Sequence, residues 1–300
     1  MLLSAVPYFR PEAACPVPSV ARDYNCTMTV MRFEAGGRRL RADFAKPLSI
    51  AVPLDFTGPQ PSFFDAPPAS ARPFRAGGFV GDTRAGGSCN CELVTLAPHC
   101  NGTHTECVGH LTDERVAVTE RLQGGVLFAL LVSIEPALAA DSTEAGDPPP
   151  AAGDRLITAA ALRAACARHP GPAPNALVIR TEGAGKGPMR AYAGPAPAPY
   201  LSRQAAAWLV ESGIEHLVLD LPSADRADDG GRLLAHRIFF GLPAGSRRAS
   251  EAKRPHASIT ELAWIEPGIA DGFYLLDLQI PAFLTDAAPS RPLLYAVQIE

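Results

Sequence analysis

Between Val126 and Ile134 the chain reads "VLFALLVSI", an apolar run broken by one serine. Such a segment has no polar face to turn toward water and must be covered on every side. It has about half the ~20 residues that a membrane-spanning helix requires, so it reads as a fully buried strand. A strand of that kind needs neighbours, and the sequence supplies them. "NALVIRT", "IEHLVLDLPS", "GFYLLDLQIPAF" and "RPLLYAVQI" read as further strands. "TAAALRAACARH" carries apolar residues at helical spacing, "LSRQAAAWLVESG" is a helix with Ser202 as its N-cap, and "GGRLLAHRIFFG" is helical. Strands outnumber helices and the two interleave, which predicts a mixed α/β architecture with a substantial sheet or barrel. With 300 residues and 47% hydrophobic composition, the chain can bury a large core.

Upstream the pattern is weaker. Residues 1–42 read as an irregular N-terminal extension before a domain spanning 43–300. "KPLSIAVPLDF" is a short strand entering a loop, and Thr57 to Gly87 is too rich in Pro, Gly and Phe for regular elements. A loop that long is often a lid or a substrate wall. Phe63, Phe64 and Phe79 offer it an aromatic surface, although phenylalanines more often pack in a core. "ELVTLAP" reads as a strand and "DSTEAGDPPPAAGD" as an exposed loop.

Charge excludes some partners. A net charge of -4 with both signs mixed gives no basic stripe for nucleic acid and no polybasic segment for a membrane surface. The first residues lack the basic start and continuous apolar core of an export signal, so the expectation is a cytoplasmic protein. Seven cysteines then imply reduced thiols rather than a disulfide framework. Cys89 and Cys91 form a CxC, but with Cys100 and Cys107 the spacing does not repeat the paired CxxC of thiolate zinc sites. Buried or bystander cysteines are the better reading. "GAGKG", at 183–187, lacks the spacing of a phosphate loop.

The densest chemistry lies in "LAPHCNGTHTECVGHL", which places His99, His104, Glu106 and His110 within a dozen positions. The six-residue gap from His104 to His110 rules out the helical HExxH pattern. On an extended segment, however, His104 and Glu106 point to the same side and can converge on one ion. His99 has the opposite parity, which a turn or bulge at Asn101-Gly102 resets. His110 returns at the next turn. Two imidazole nitrogens and a carboxylate oxygen are the ligand set of a catalytic zinc or manganese site. A lone histidine would favour a polar loop without function, but three with a carboxylate favour metal.

"HCNGTHTECVGH" resembles the metal-binding signature, HxGTHxDxPxH, of the cyclase family of metal-dependent hydrolases, which includes bacterial kynurenine formamidases and isatin hydrolases. "KPLSIAVPLDF", "HLVLDLPSADR", "LLAHRIFFG" and "ITELAWI" are similar to other segments of that family, so the resemblance spans roughly residues 43 to 300. It implies a swivelling β/β/α fold, one or two zinc or manganese ions, and hydrolysis of an amide or lactam C–N bond in a small molecule. It further implies a homodimer. Position by position, His104 and Glu106 match metal ligands, and His110 matches the last histidine of the motif. His236 matches a later histidine that acts as general acid/base, and Glu261 the late carboxylate beside it that would orient it.

The chain departs from the family pattern in three places. Aligned on "GTH", the family's first histidine falls on Cys100, so the ligand is either His99, after backbone adjustment, or the Cys100 thiolate. Glu106 stands where the family has Asp. A polar loop lengthens the interval between His236 and Glu261. Two other functions remain compatible: a non-catalytic binding module of the same fold, which would not need both His236 and Glu261, and a polyketide-type cyclase. His169 reads as a helix-end residue, His216 as packed on a strand and His256 as a loop residue. Asp220 and Asp225 are expected to act structurally near the site.

Overall fold

The computed structural model describes residues 29–61, 63–122, 125–181 and 198–300, so "GAGKG" lies outside the described residues. Its main feature is one mixed sheet of 11 strands. In chain order these are β1 (Val30–Ala35), β2 (Arg38–Asp43), β3 (Leu48–Ser49), β4 (His104–Glu106), β5 (Val126–Ile134) and β6 (Ala176–Thr181). They continue with β7 (His216–Leu219), β8 (Ser258–Glu261), β9 (Gly272–Asp277), β10 (Ala287–Pro289) and β11 (Leu293–Ile299). The spatial order is β1-β2-β11-β9-β5-β6-β7-β8-β4-β10, with β3 paired on β11. Among the described residues no pairing joins the two ends, so the sheet is open rather than a barrel.

The apolar run sits where its composition requires. β5 lies mid-sheet, antiparallel to β9 and parallel to β6. From there β6, β7 and β8 continue in parallel, and β4 and β10 close that side antiparallel. Parallel strands need crossovers, which the helices supply. α1 (Val118–Arg121) is one turn long; α2 (Ala159–Ala167), α3 (Arg203–Glu211) and α4 (Leu234–Phe240) do the covering. α2 packs on β5, and α3 lies between α2 and α4. Leu131, Leu162, Leu209, Leu217, Phe239 and Phe240 are fully buried in the resulting core.

The helix starts follow from local chemistry. Thr158 accepts the Ala161 N–H at 3.1 Å and Ser202 accepts the Ala205 N–H at 2.9 Å, so both caps satisfy a donor that the first turn leaves free. Glu144, from the loop before α2, accepts the Ala159 N–H at 2.9 Å and the Ser202 hydroxyl. One carboxylate thus ties that loop to the starts of two helices, where the helix dipoles favour negative charge.

Two regions expected to be irregular carry structure. Residues 30–43 form the β1–β2 hairpin at the sheet edge, turning through Gly36 and Gly37 at φ 55° and 72°. A two-residue turn with both φ values positive requires glycine-like residues, and "GG" was its only local signal. The long loop contains one small hairpin, Arg75–Ala76 with Phe79–Val80, and a strand, Ser70–Pro73, that pairs with Glu92–Thr95 in the expected strand beyond the loop. There the proline- and glycine-rich composition concealed pairing that is set at longer range.

Because Leu131 is fully buried at the centre of the sheet, Leu131→Ala should destabilise the protein by about 2–5 kcal/mol, the range for such cavities. Denaturant unfolding checks this; a loss well under 1 kcal/mol would mean that β5 is not central to the core.

Candidate functional site

The site forms on the side of the sheet where β4 lies between β8 and β10. Register builds it: Glu261 is paired directly with His104, and Ile259 with Glu106. Residues opposite each other in an antiparallel pair share a face, as do residues two apart on one strand. His104, Glu106 and Glu261 therefore share a face, and all three are buried. On the other face, Thr105 and Thr260 join hydroxyls at 2.8 Å, and the Thr105 hydroxyl donates to Ser290 at 2.9 Å.

The remaining residues arrive from loops and short helices. Asn101 makes the turn before β4, its side chain accepting the Ala97 N–H at 2.7 Å, and this brings His99 to Glu106. After Glu106 a 3-10 turn over Val108–Leu111, capped by the Cys107 thiol, returns His110 to the same place. The His99 and His110 rings stack with centroids 4.2 Å apart. His236 comes from the first turn of α4. Asp225 fixes that turn by accepting the Ala235 N–H at 2.6 Å and the His236 N–H at 3.1 Å. Asp229 holds the preceding residue, Leu233, whose φ of 47° is costly for a branched side chain.

Three of the four imidazoles have one nitrogen committed. His104 Nδ1 is 2.9 Å from the Gly102 carbonyl, which can only accept, so Nδ1 carries a hydrogen. His236 Nδ1 donates to Asp225 at 2.6 Å, and His99 Nε2 to Asp286 at 2.8 Å. The other nitrogens all face carboxylates. His236 Nε2 lies 2.7 Å from Glu106 Oε1, His99 Nδ1 lies 2.9 Å from Glu106 Oε2, and His104 Nε2 lies 3.5 Å from Glu261 Oε2. Despite these distances His104 Nε2, His236 Nε2 and both Glu106 oxygens are buried without a properly directed hydrogen bond. Buried polar atoms rarely remain so, and a lone pair set against a carboxylate oxygen is repulsive unless positive charge lies between them.

Without a cation, that charge must come from protons. Burial disfavours a charged His99, yet its hydrogen bond to Asp286 and its closeness to the Glu106 carboxylate win and raise its pKa to about 10. Burial likewise opposes protonation of His236, but the Glu106 charge and the bond to Asp225 raise it well above the ordinary histidine range. Burial would raise the Glu106 carboxyl; the charges of His110 and His236 instead hold it well below the usual range. Glu261 is lowered too, as the nearby His104 and His236 imidazoles outweigh its burial.

Side-chain donors come together in two groups able to hold a metal ion, His99 with Glu106 and His110, and His104 with Glu106 and Glu261. Glu106 belongs to both. Five of the six sequence candidates belong to these groups, His236 lies beside them at 2.7 Å from Glu106 Oε1, and Cys100 joins neither group. Glu261 differs from expectation in position: it sits in the group with His104, 3.5 Å from His236 Nε2, while Asp225 is the residue that orients His236. Asp286 was not foreseen at all. Phe63 reaches the region through its N–H, which donates to the Cys100 carbonyl at 3.2 Å, and Phe64 is exposed beside it. Phe79 packs against Phe74. Cys89 and Cys91 are both exposed. His216 is buried against Ser258, as expected of a packed residue.

Comparison with known proteins defines the class first. A family model described as "Putative cyclase" matches residues 39–226, and the chain belongs to that family. Among solved structures, isatin hydrolase A from Labrenzia aggregata aligns with a TM-score of 0.56 at 13% identity, covering 84% of this chain and 93% of that one. A predicted metal-dependent hydrolase from Bacillus stearothermophilus aligns with a TM-score of 0.51 at 16% identity, covering 83% and 98%. At such identities these likenesses establish the fold. No curated protein matches the chain.

The His99 shift sets a pH dependence. Its folded pKa of about 10 lies above the ordinary 6.5. The pair therefore contributes stability that is fully present below pH 6.5 and is lost as pH rises through 10. In chelator, the melting temperature should fall more between pH 7 and about pH 10 for the native protein than for His99→Gln. Equal slopes in the two proteins would show that His99 is not held protonated by its carboxylates.

Proposed function

We propose that the protein is a metal-dependent hydrolase that cleaves an amide C–N bond in a small molecule, either an aryl formamide or a lactam. The observation that carries this reading is the convergence of three committed imidazoles on Glu106 and Glu261, leaving buried lone pairs that only a cation or extra protons can reconcile. The donor set of imidazole nitrogens and carboxylate oxygens suits zinc or manganese. His104, Glu106 and Glu261 would form the inner half of the centre, and His99, Glu106 and His110 the outer half. The substrate class follows from the family resemblance, and so does assembly as a homodimer.

A divalent cation held there would polarise a carbonyl oxygen and lower the pKa of water beside it to about 7. The chain's own residues then handle the protons. His236 is fixed by Asp225 at Nδ1, so once a cation compensates Glu106 and His236 is neutral, Nε2 would accept the proton of the attacking water as its oxygen bonds to the amide carbon. The same nitrogen returns that proton to the departing amine as the C–N bond breaks. Glu261 keeps the negative charge that favours a protonated His236 during the interval. The burial of His104, Glu106 and His236 keeps bulk water from competing for these bonds.

Elemental analysis of protein purified without added metal or chelator tests the centre. One or two zinc or manganese ions per chain are expected, with loss in His104→Ala. Because His99 and His236 hold protons in the cation-free state, zinc uptake at pH 7 should release protons, measurable as a buffer-dependent binding enthalpy. A native protein that neither contains nor takes up zinc or manganese would end the hydrolase reading. On aryl formamides and cyclic amides, His236→Ala should lower kcat by about 100- to 10,000-fold, the span of general acid–base contributions. Hydrolysis that survives this substitution would remove His236 from the mechanism.

A further inference from the structure

We infer that Asp286 is a positioning residue for the outer half of the centre: it fixes His99 so that Nδ1, and not Nε2, is presented to an ion shared with Glu106 and His110. This rests on the metal-centre reading above. Asp286 lies in no motif; it is placed by the sheet. It immediately precedes β10, where Ala287 is paired with Glu106, and its own carbonyl accepts the Cys107 N–H at 3.0 Å. The backbone on both sides of Glu106 is thus tied to the backbone carrying Asp286.

The side chain uses that placement. Asp286 Oδ2 accepts the His99 Nε2–H at 2.8 Å and lies 3.5 Å from His110 Nδ1. With its Nε2 hydrogen committed, neutral His99 has only Nδ1 as a lone-pair atom, and Nδ1 is the nitrogen 2.9 Å from Glu106 Oε2. A carboxylate hydrogen-bonded to the far nitrogen of a ligating imidazole selects its tautomer, locks its ring plane and makes the near nitrogen a stronger donor. Asp225 holds His236 in the corresponding way from the buried side. Asp286 does it from the open side, where about two-fifths of its side chain is exposed, 39% against 6% for Asp225. A helix cap keeps Asp225 in place, whereas Asp286 relies on the β4–β10 pairing.

The test is a zinc titration with a competing chromophoric chelator on the full-length protein, Asp286→Ala, Asp286→Glu, His99→Ala and the Asp286→Ala/His99→Ala pair. Asp286→Ala should weaken, by about 10- to 100-fold, the same binding step that His99→Ala weakens. Asp286→Glu should recover most of that loss. In the His99→Ala background Asp286→Ala should add little, because a residue acting through His99 has nothing left to act on. An unchanged titration in Asp286→Ala overturns the inference, and so does a loss of equal size with and without His99, which would mark a general structural role. If His99→Ala abolishes the step altogether, recovery in Asp286→Glu decides, and no recovery overturns it. A native protein that binds no zinc removes the metal reading itself, a result distinct from each of these.

Discussion

A carboxylate taken wholly out of water loses several kcal/mol of hydration, and it persists as an anion only where positive charge is supplied to it. Glu106 is such a carboxylate, buried completely between two strands. Its surroundings read as the means of supplying that charge: His99 and His236 approach its two oxygens separately, and His110 adds a third imidazole nearby. Each of these imidazoles lies against a further carboxylate, Asp286 or Asp225. The site is thus an alternation of acid and base outward from one buried charge. Removing any one partner leaves its neighbour uncompensated, and the same alternation lets protons and a cation substitute for one another.

Holding three imidazoles around one buried carboxylate requires a backbone that does not yield, and strain gathers at its ends. Leu262, directly after Glu261, has φ 55°. Its N–H donates to the Leu221 carbonyl at 2.8 Å and its carbonyl accepts the Thr103 hydroxyl at 2.6 Å, so both polar groups are anchored. Leu233, just before α4, is held in the same unfavourable region by Asp229. Left-handed backbone at a leucine costs on the order of 1–3 kcal/mol. In both places the distortion immediately adjoins an element that aims a site residue, Glu261 in one case and His236 in the other. The cost is borne where direction matters.

How far the sequence disclosed this depends on the range of the interaction. The buried strand β5, the helices α2 to α4 and the Ser202 cap rest on patterns a few residues long, and they appear where periodicity and capping chemistry put them. The parity of His104 and Glu106 was legible for the same reason, as was the turn that brings His99 round. The pairing of Glu261 with His104 was not, because a register between strands more than 150 positions apart leaves no local trace. Asp286 shows the limit most clearly. It meets His99 across a separation of 187 residues, from a segment whose neighbours, Thr285 and Ala287, carry no distinguishing chemistry. Asp225 reads from the sequence as a polar residue near the site, but its double use, capping α4 and orienting His236, is a consequence of where the helix begins.

The two halves around Glu106 differ in their access to water, and this difference bears on how the site exchanges protons. His104, His236 and Glu106 are essentially shut off, with side-chain exposures of 0%, 1% and 0%. His99 and His110 retain 27% and 28%, and Asp286 retains 39%. The buried half is thus linked to the exposed one through groups already in contact, His236 with Glu106, Glu106 with His99, and His99 with Asp286. The inner half is dry, so its charges act at full strength; the outer half is wet, so charge can be renewed there. A single strand, β4, separates these regimes by placing His104 and Glu106 on one face and letting the chain before and after it fold back toward solvent.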